Sequence, residues 1–271
     1  MFIPRLGLKC SSDPEQLQSR LIHHPAVLEF YTAETDFTEQ GLALLRTSIL
    51  GAKEAGVNEI VLHHPMKYQE RFLELVSHPS NHPEIVDFID FSTQKLMEIA
   101  EELDCLVLIH GSYEMREPDL LDPFDNLEAA EAYLFSRMDY LQAMSNGRIV
   151  FENGIAPLFS FGKLDFDRKL AEKNYPLAYD VSHAFIHNHG NQEALEQSLT
   201  LLKDKIRHYH LVDSMGETHD SLALGQGKID WKAVLPLLNE SASAIYEIVL
   251  KDQTNPAEQL NSHDYLSSLL N

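Results

Sequence analysis

Leu177-Ala178-Tyr179-Asp180-Val181-Ser182-His183 is a short apolar run that ends in an acid, a hydroxyl and an imidazole. The same design recurs on both sides of it. Arg148–Phe151 runs into Glu152-Asn153-Gly154, and His208-Tyr209-His210-Leu211-Val212 runs into Asp213-Ser214. Further out, Glu59–His63 leads to His64-Pro65, Cys105–Ile109 leads to His110-Gly111-Ser112, and Ala244–Val249 carries Glu247. With Leu6–Cys10 and Val27–Tyr31 this makes eight strand candidates. Each is short and nearly continuous in apolar residues, as parallel strands covered on both faces require.

Helical patterns separate the runs. Phe37–Ala55 places Leu42, Leu45 and Ile49 on one face, with Gly56 as its stop. Pro83–Leu103 and Leu127–Met144 repeat the pattern, and shorter helices are expected at Asp165–Lys173, Glu193–Lys203, Trp231–Leu238 and Pro256–Leu270. Alternating β and α units imply a parallel sheet. Eight units in 271 residues fit one (β/α)8 TIM barrel, a fold of roughly 250 residues, as a single domain over 1–271. The connection from Pro65 to His82 is long, the kind that carries function or motion.

Composition narrows the partners. The formal charge is −21, with 44% hydrophobic residues and 2 cysteines. This argues against a nucleic acid or an anionic membrane surface as partner. No apolar run reaches the roughly 20 residues of a membrane helix, and no signal core precedes the first strand. Cytoplasm is the expected location, and a homo-oligomer is compatible with the sequence. Cys10 and Cys105 fall at opposite ends of their strands, which disfavours a disulfide between them.

In a barrel the C-terminal strand ends converge on one axis. Glu152, Asp180, His210 and Glu247 are spaced by 28, 30 and 37 residues, about one βα unit each. Carboxylates converging on one point would repel without a cation, and this donor set suits Mn²⁺, Zn²⁺, Co²⁺ or Fe²⁺. His64, His110 and His219 are further metal candidates. Of His63 and His64 only one can face the axis, and the His-Pro step favours His64 as the strand exit. Gly225-Gln226-Gly227 reads either as a phosphate cradle or as a turn opening a helix at Asp230. Lys9, Lys67, Arg116 and Lys251 read as surface residues, with an anion contact as the alternative. His23, His24, His78, His82, His187 and His189 read as solvated.

The order of Phe151-Glu152-Asn153, Tyr179-Asp180-Val181-Ser182-His183, His208–Ser214 and Leu224-Gly225-Gln226-Gly227-Lys228-Ile229-Asp230-Trp231 resembles the xylose isomerase-like TIM barrels over nearly the whole chain. That family includes sugar phosphate isomerases and epimerases and the family 2 apurinic endonucleases. In the isomerase branch, the resemblance implies one metal on Glu152, Asp180, His210 and Glu247. The two glutamates would be the catalytic proton-transfer pair across a metal-stabilised enediolate, and His183 would contact a carbohydrate-like small molecule. In the endonuclease IV-like branch it implies up to three zinc ions in a phosphodiesterase, with His64 (or His63), His110 and His183 as further ligands. Glu217 and His219 resemble that branch's Asp-x-His pair. Glu217 stands where the pair has aspartate, and basic DNA-gripping loops are not recognisable. The first expectation is therefore a metal-dependent isomerase or epimerase with one ion, with Glu217 and His183 beside the substrate. The second is a multinuclear zinc hydrolase.

Overall fold

The computed structural model describes residues 2–270. Eight parallel strands, β1 Gly7–Cys10, β2 Val27–Tyr31, β3 Glu59–His63, β4 Leu106–His110, β5 Ile149–Glu152, β6 Leu177–Asp180, β7 Ile206–Leu211 and β8 Ser243–Tyr246, pair in chain order. The ladder brings β8 back beside β1, as the (β/α)8 expectation requires. A Cβ on Gly7 would lie 1.8 Å from the Ala244 carbonyl oxygen, so only glycine lets the two edge strands approach this closely.

Nine α-helices occupy the described residues: α1 Pro14–Leu21, α2 Glu39–Glu54, α3 Pro83–Leu103, α4 Leu127–Met144, α5 Leu164–Glu172, α6 Val181–His187, α7 Gln192–Leu202, α8 Trp231–Val234 and α9 Ala257–Ser268. Two of them were not expected from the sequence. α1 begins where the Asp13 carboxylate accepts from the N–H groups of Glu15 and Gln16, with Pro14 in the first turn. α6 begins directly after β6, whose last residue is Asp180. β8 also stops short of the expected Val249, leaving Glu247 just beyond it.

The strand pleat sorts side chains between two cores. Leu8, Cys10, Leu28, Phe30, Leu62, Val107, Ile109 and Phe151 belong to the large core under the helices. Val61, Leu108, Val150 and Ala178 form a small separate cluster inside the barrel. Two residues further along the same strands, on the same face, stand His63, His110, Glu152 and Asp180. An apolar floor therefore carries a polar layer at the C-terminal mouth.

The long connection after β3 is not structureless. Lys67–Tyr68 and Arg71–Phe72 pair as an antiparallel hairpin, turned by Gln69 and Glu70 at φ +49° and +65°. Further on, the buried Glu74 carboxylate accepts from Ser112 Oγ and from the N–H groups of Tyr113, Glu114 and Met115. Those contacts staple the connection to the loop that leaves β4. Both cysteines are buried and unpaired.

Candidate metal centre

β5 supplies Glu152, whose Oε2 lies 2.8 Å from His110 Nε2 and 3.6 Å from His63 Nε2. Its Oε1 lies 3.0 Å from His210 Nδ1. Glu247 Oε2 is 2.5 Å from the same His210 nitrogen, and Asp180 Oδ2 is 3.9 Å from it. Both Glu152 oxygens, Asp180 Oδ2 and His210 Nδ1 are buried without a hydrogen-bond partner. Leaving several such groups unsatisfied at one point costs about 1–3 kcal/mol each, and a shared cation removes that cost. The residues therefore fit a divalent ion. Of the four donor sets that converge here among the described residues, two share Glu152: Glu152 with Asp180, His210 and Glu247, and Glu152 with His63 and His110.

Neighbouring acceptors fix three of the imidazoles, while His110 Nδ1 is buried without a partner. His63 Nδ1 donates to the His64 carbonyl at 2.7 Å, which turns the Nε2 lone pair to the mouth. His183 Nδ1 donates to the Asn153 carbonyl at 2.8 Å with the same effect. His210 Nε2 donates to Glu29 Oε2 at 2.8 Å, freeing Nδ1 for an ion. A ligating histidine almost always has such a partner on its other nitrogen. Asp180 divides its carboxylate. Oδ1 accepts from Ser182 Oγ and His183 N as the cap of α6, which leaves Oδ2 for the axis.

Below this layer lies a charged network. Glu29 Oε2 also accepts from His208 Nε2 at 3.0 Å, and His208 Nδ1 meets Ser243 Oγ at 2.7 Å. Lys9 Nζ donates to Glu247 Oε1 and stands 2.7 Å from Glu29 Oε1 as an ion pair. Burial alone would raise the pKa of Glu29, Glu152 and Glu247. The facing imidazoles, with Lys9 beside Glu29 and Glu247, outweigh it and hold all three well below the usual carboxylate range.

Above the layer opens a cavity of about 250 Å³. Its polar lining includes Lys9, His63, His110, His183, His219 and Glu247, and its apolar lining includes Tyr31, Met66, Phe72 and Ile155. His183 Nε2 and His219 Nε2 stand 3.1 Å apart at one wall.

Of the residues expected from the sequence, the structure gathers Glu152, Asp180, His210, Glu247, His110, His183 and His219 at one mouth. His64 and Glu217 do not join them. His64 points outward to Ser92 Oγ at 2.7 Å, and burial pushes its pKa down to about 3, so it is a neutral core histidine. His63 takes the inward place because it shares the pleat face of Val61. Glu217 is exposed and lines a shallow depression with Arg116 and Thr218, outside the main cavity. Lys9 is not a surface residue, and His82 is buried beside Asp119 rather than solvated. Gly225-Gln226-Gly227 proves to be a turn filled from within. Asp213 accepts from the N–H groups of Gly225 and Ile229, and a Cβ on Gly227 would lie 2.2 Å from its Oδ1. Sequence reasoning missed Glu29 and His208. The available signal was a charged or polar residue at inward parity within an apolar strand.

Residues 51–266 match the model of the xylose isomerase-like TIM barrel family. The chain belongs to this family. No curated protein matches the sequence. Among solved structures, a D-tagatose 3-epimerase-like protein is similar at TM-score 0.70 and 18% identity, covering 98% of this chain and 97% of that one. A putative xylose isomerase from Rhodospirillum rubrum gives 0.73 and 13%, covering 98% and 99%. A Thermus thermophilus protein soaked with ZnCl2 gives 0.64 and 18%, covering 98% and 96%. At these identities the likeness shows the fold that this family member shares with them. Among the described residues of the chain, no helix is long and apolar enough to cross a membrane.

Proposed function

We propose that the chain is a divalent-metal hydrolase of small phosphate esters, built on a centre in which Glu152 is shared by two ions. The observation that carries this reading is the position of Glu152. One oxygen faces His110 and His63, the other faces His210, and neither accepts a hydrogen bond. A carboxylate between two donor sets is the arrangement of two-ion sites.

One ion would rest on Glu152, Asp180, His210 and Glu247, the other on Glu152, His63 and His110. When bound, such ions supply Lewis acidity and hydroxide at neutral pH. The chain's own residues do the rest. Glu29 holds His210 in the tautomer that offers Nδ1. Tyr113 and Phe72 wall the cavity on the side that Glu74 staples, which limits entry of bulk water. His183 Nε2 and His219 Nε2 face each other at the cavity wall, and a proton held between them would be available to a leaving oxygen. The cavity size, the −21 charge and a lining with Lys9 as its one lysine or arginine favour a small molecule over a nucleic acid.

A second reading, isomerisation or epimerisation of a hydroxy-keto sugar on one ion, is favoured by Glu247 facing a cavity of sugar-like size. There Glu152 and Glu247 would exchange the proton. Glu247 Oε1, however, is held by Lys9.

The test pairs metal analysis with two assays. Hydrolysis of p-nitrophenyl phosphate or bis(p-nitrophenyl) phosphate, lost in Glu152→Gln, supports the first reading. Solvent deuterium entering the carbon next to a ketose carbonyl, with no phosphatase activity, sinks it and supports the second.

A further inference from the structure

We propose that Lys9 anchors the anionic group of the substrate, a role that rests on the two-ion reading above. Leu8 and Cys10 point into the outer core, so the pleat of β1 sends Lys9 inward, 12% exposed at the cavity wall. An ammonium has three N–H donors. One is taken by Glu247, Glu29 Oε1 balances the charge at 2.7 Å, and donor capacity is left for the cavity. Glu247 is shared in an ordered way, with Oε2 toward His210 and Oε1 on Lys9. The ammonium therefore stands beside the ion position without competing for the same oxygen.

The backbone beneath it is pinned. Fully buried Arg20 donates from Nε to the Lys9 carbonyl at 3.2 Å and from Nη1 to the Gln253 carbonyl at 2.6 Å. The end of β1 is thus tied to the segment that follows β8, and the long side chain starts from a fixed base.

Charge identifies the ligand class. Glu152, Asp180 and Glu247 at the mouth and Glu29 beneath them bring four carboxylates to the centre, while Glu114 at the cavity rim is paired with Arg116. Two divalent ions and Lys9 leave one positive charge in excess, whereas a single ion leaves one negative charge. The filled two-ion centre attracts an anion, and Lys9 supplies the one fixed cation that can reach it. Met66, Phe72 and Ile155 face the remainder of the molecule, so the substrate is a small anion with a partly apolar body.

The experiment titrates metal-loaded protein with inorganic phosphate by calorimetry, in the parent, Lys9→Met and Lys9→Arg, with metal content measured for each. The expected result is phosphate affinity weakened at least tenfold in Lys9→Met at unchanged metal content, and partly restored in Lys9→Arg. Equal affinity in Lys9→Met overturns the proposal. So does a loss of metal in that variant, which would make Lys9 a support for Glu247 alone. In the unmutated Zn²⁺-loaded chain, phosphate should shift the ¹⁵N resonance of the Lys9 ammonium, and an unchanged resonance is a refutation that needs no variant to fold. One ion per parent chain refutes the two-ion reading by itself, separately from these outcomes.

Discussion

Replacing Glu29 by glutamine tests how the buried network controls the ion above it. Glu29 Oε2 accepts from His210 and His208, while Oε1 forms an ion pair with Lys9. Glutamine keeps the shape and one acceptor. Its amide must then point its N–H groups either at Lys9, donor against donor, or at two imidazoles that need an acceptor. His210 loses its anionic partner, and with it the basicity of Nδ1. Loss of such a partner typically lowers metal affinity 10–100-fold, or about 1.4–2.7 kcal/mol. Lys9 keeps Glu247 as counter-charge, so the stability cost falls below the about 3–5 kcal/mol of a fully orphaned buried charge. Competition titration with a chromophoric chelator measures the affinity for Zn²⁺ and Mn²⁺, and circular dichroism checks the fold. An affinity within threefold of the parent, in a folded variant, would refute the reasoning.

The neighbouring histidines should part company. His63→Ala is expected to lose the ion shared with His110, while His64→Ala keeps the metal content and loses about 2 kcal/mol of stability by emptying a core position; metal analysis and thermal melts on both variants decide. Asp167 is buried in α5, where burial pushes its pKa up to about 6 against the opposing hydrogen bond from the Gly162 N–H. A carboxyl whose pKa rises on folding penalises the folded state once ionised, so the penalty is absent below about pH 4 and complete above about pH 6. Asp167→Asn should therefore raise Tm at pH 7.5 by roughly 5 °C, for about 2–3 kcal/mol, and leave it unchanged at pH 4; scanning calorimetry at both values settles it. Gly227→Ala should displace Asp213 from the Gly225 and Ile229 amides at a cost of about 1–3 kcal/mol, seen as faster hydrogen exchange at those two N–H groups.

The barrel was legible because its strands are buried on both faces and its helices are amphipathic. Glu152, Asp180, His210 and Glu247 were legible because strand ends in a barrel must meet. What escaped depended on parity and on local capping. His63 and His64 are adjacent, and the His-Pro step marked the strand exit without showing which face was inward. The floor residue Val61 decides it, and its inward face becomes evident only beside Leu108, Val150 and Ala178. Lys9 and Glu29 look like surface charges when each strand is read alone. They are satisfied only by each other, by Glu247 and by two imidazoles from β7, contacts that span up to 238 residues of sequence. Helix α6 is hidden because its cap is Asp180 itself, a residue already assigned to the metal.

The most direct test of the account is metal stoichiometry. Elemental analysis of the parent protein, purified without chelator and reconstituted with Zn²⁺ or Mn²⁺, should find at least two ions per chain. Glu152→Gln should lose both together, while the fold persists by circular dichroism. One ion per chain in the parent, or a Glu152→Gln variant that keeps one ion at full occupancy, would contradict a centre shared through Glu152.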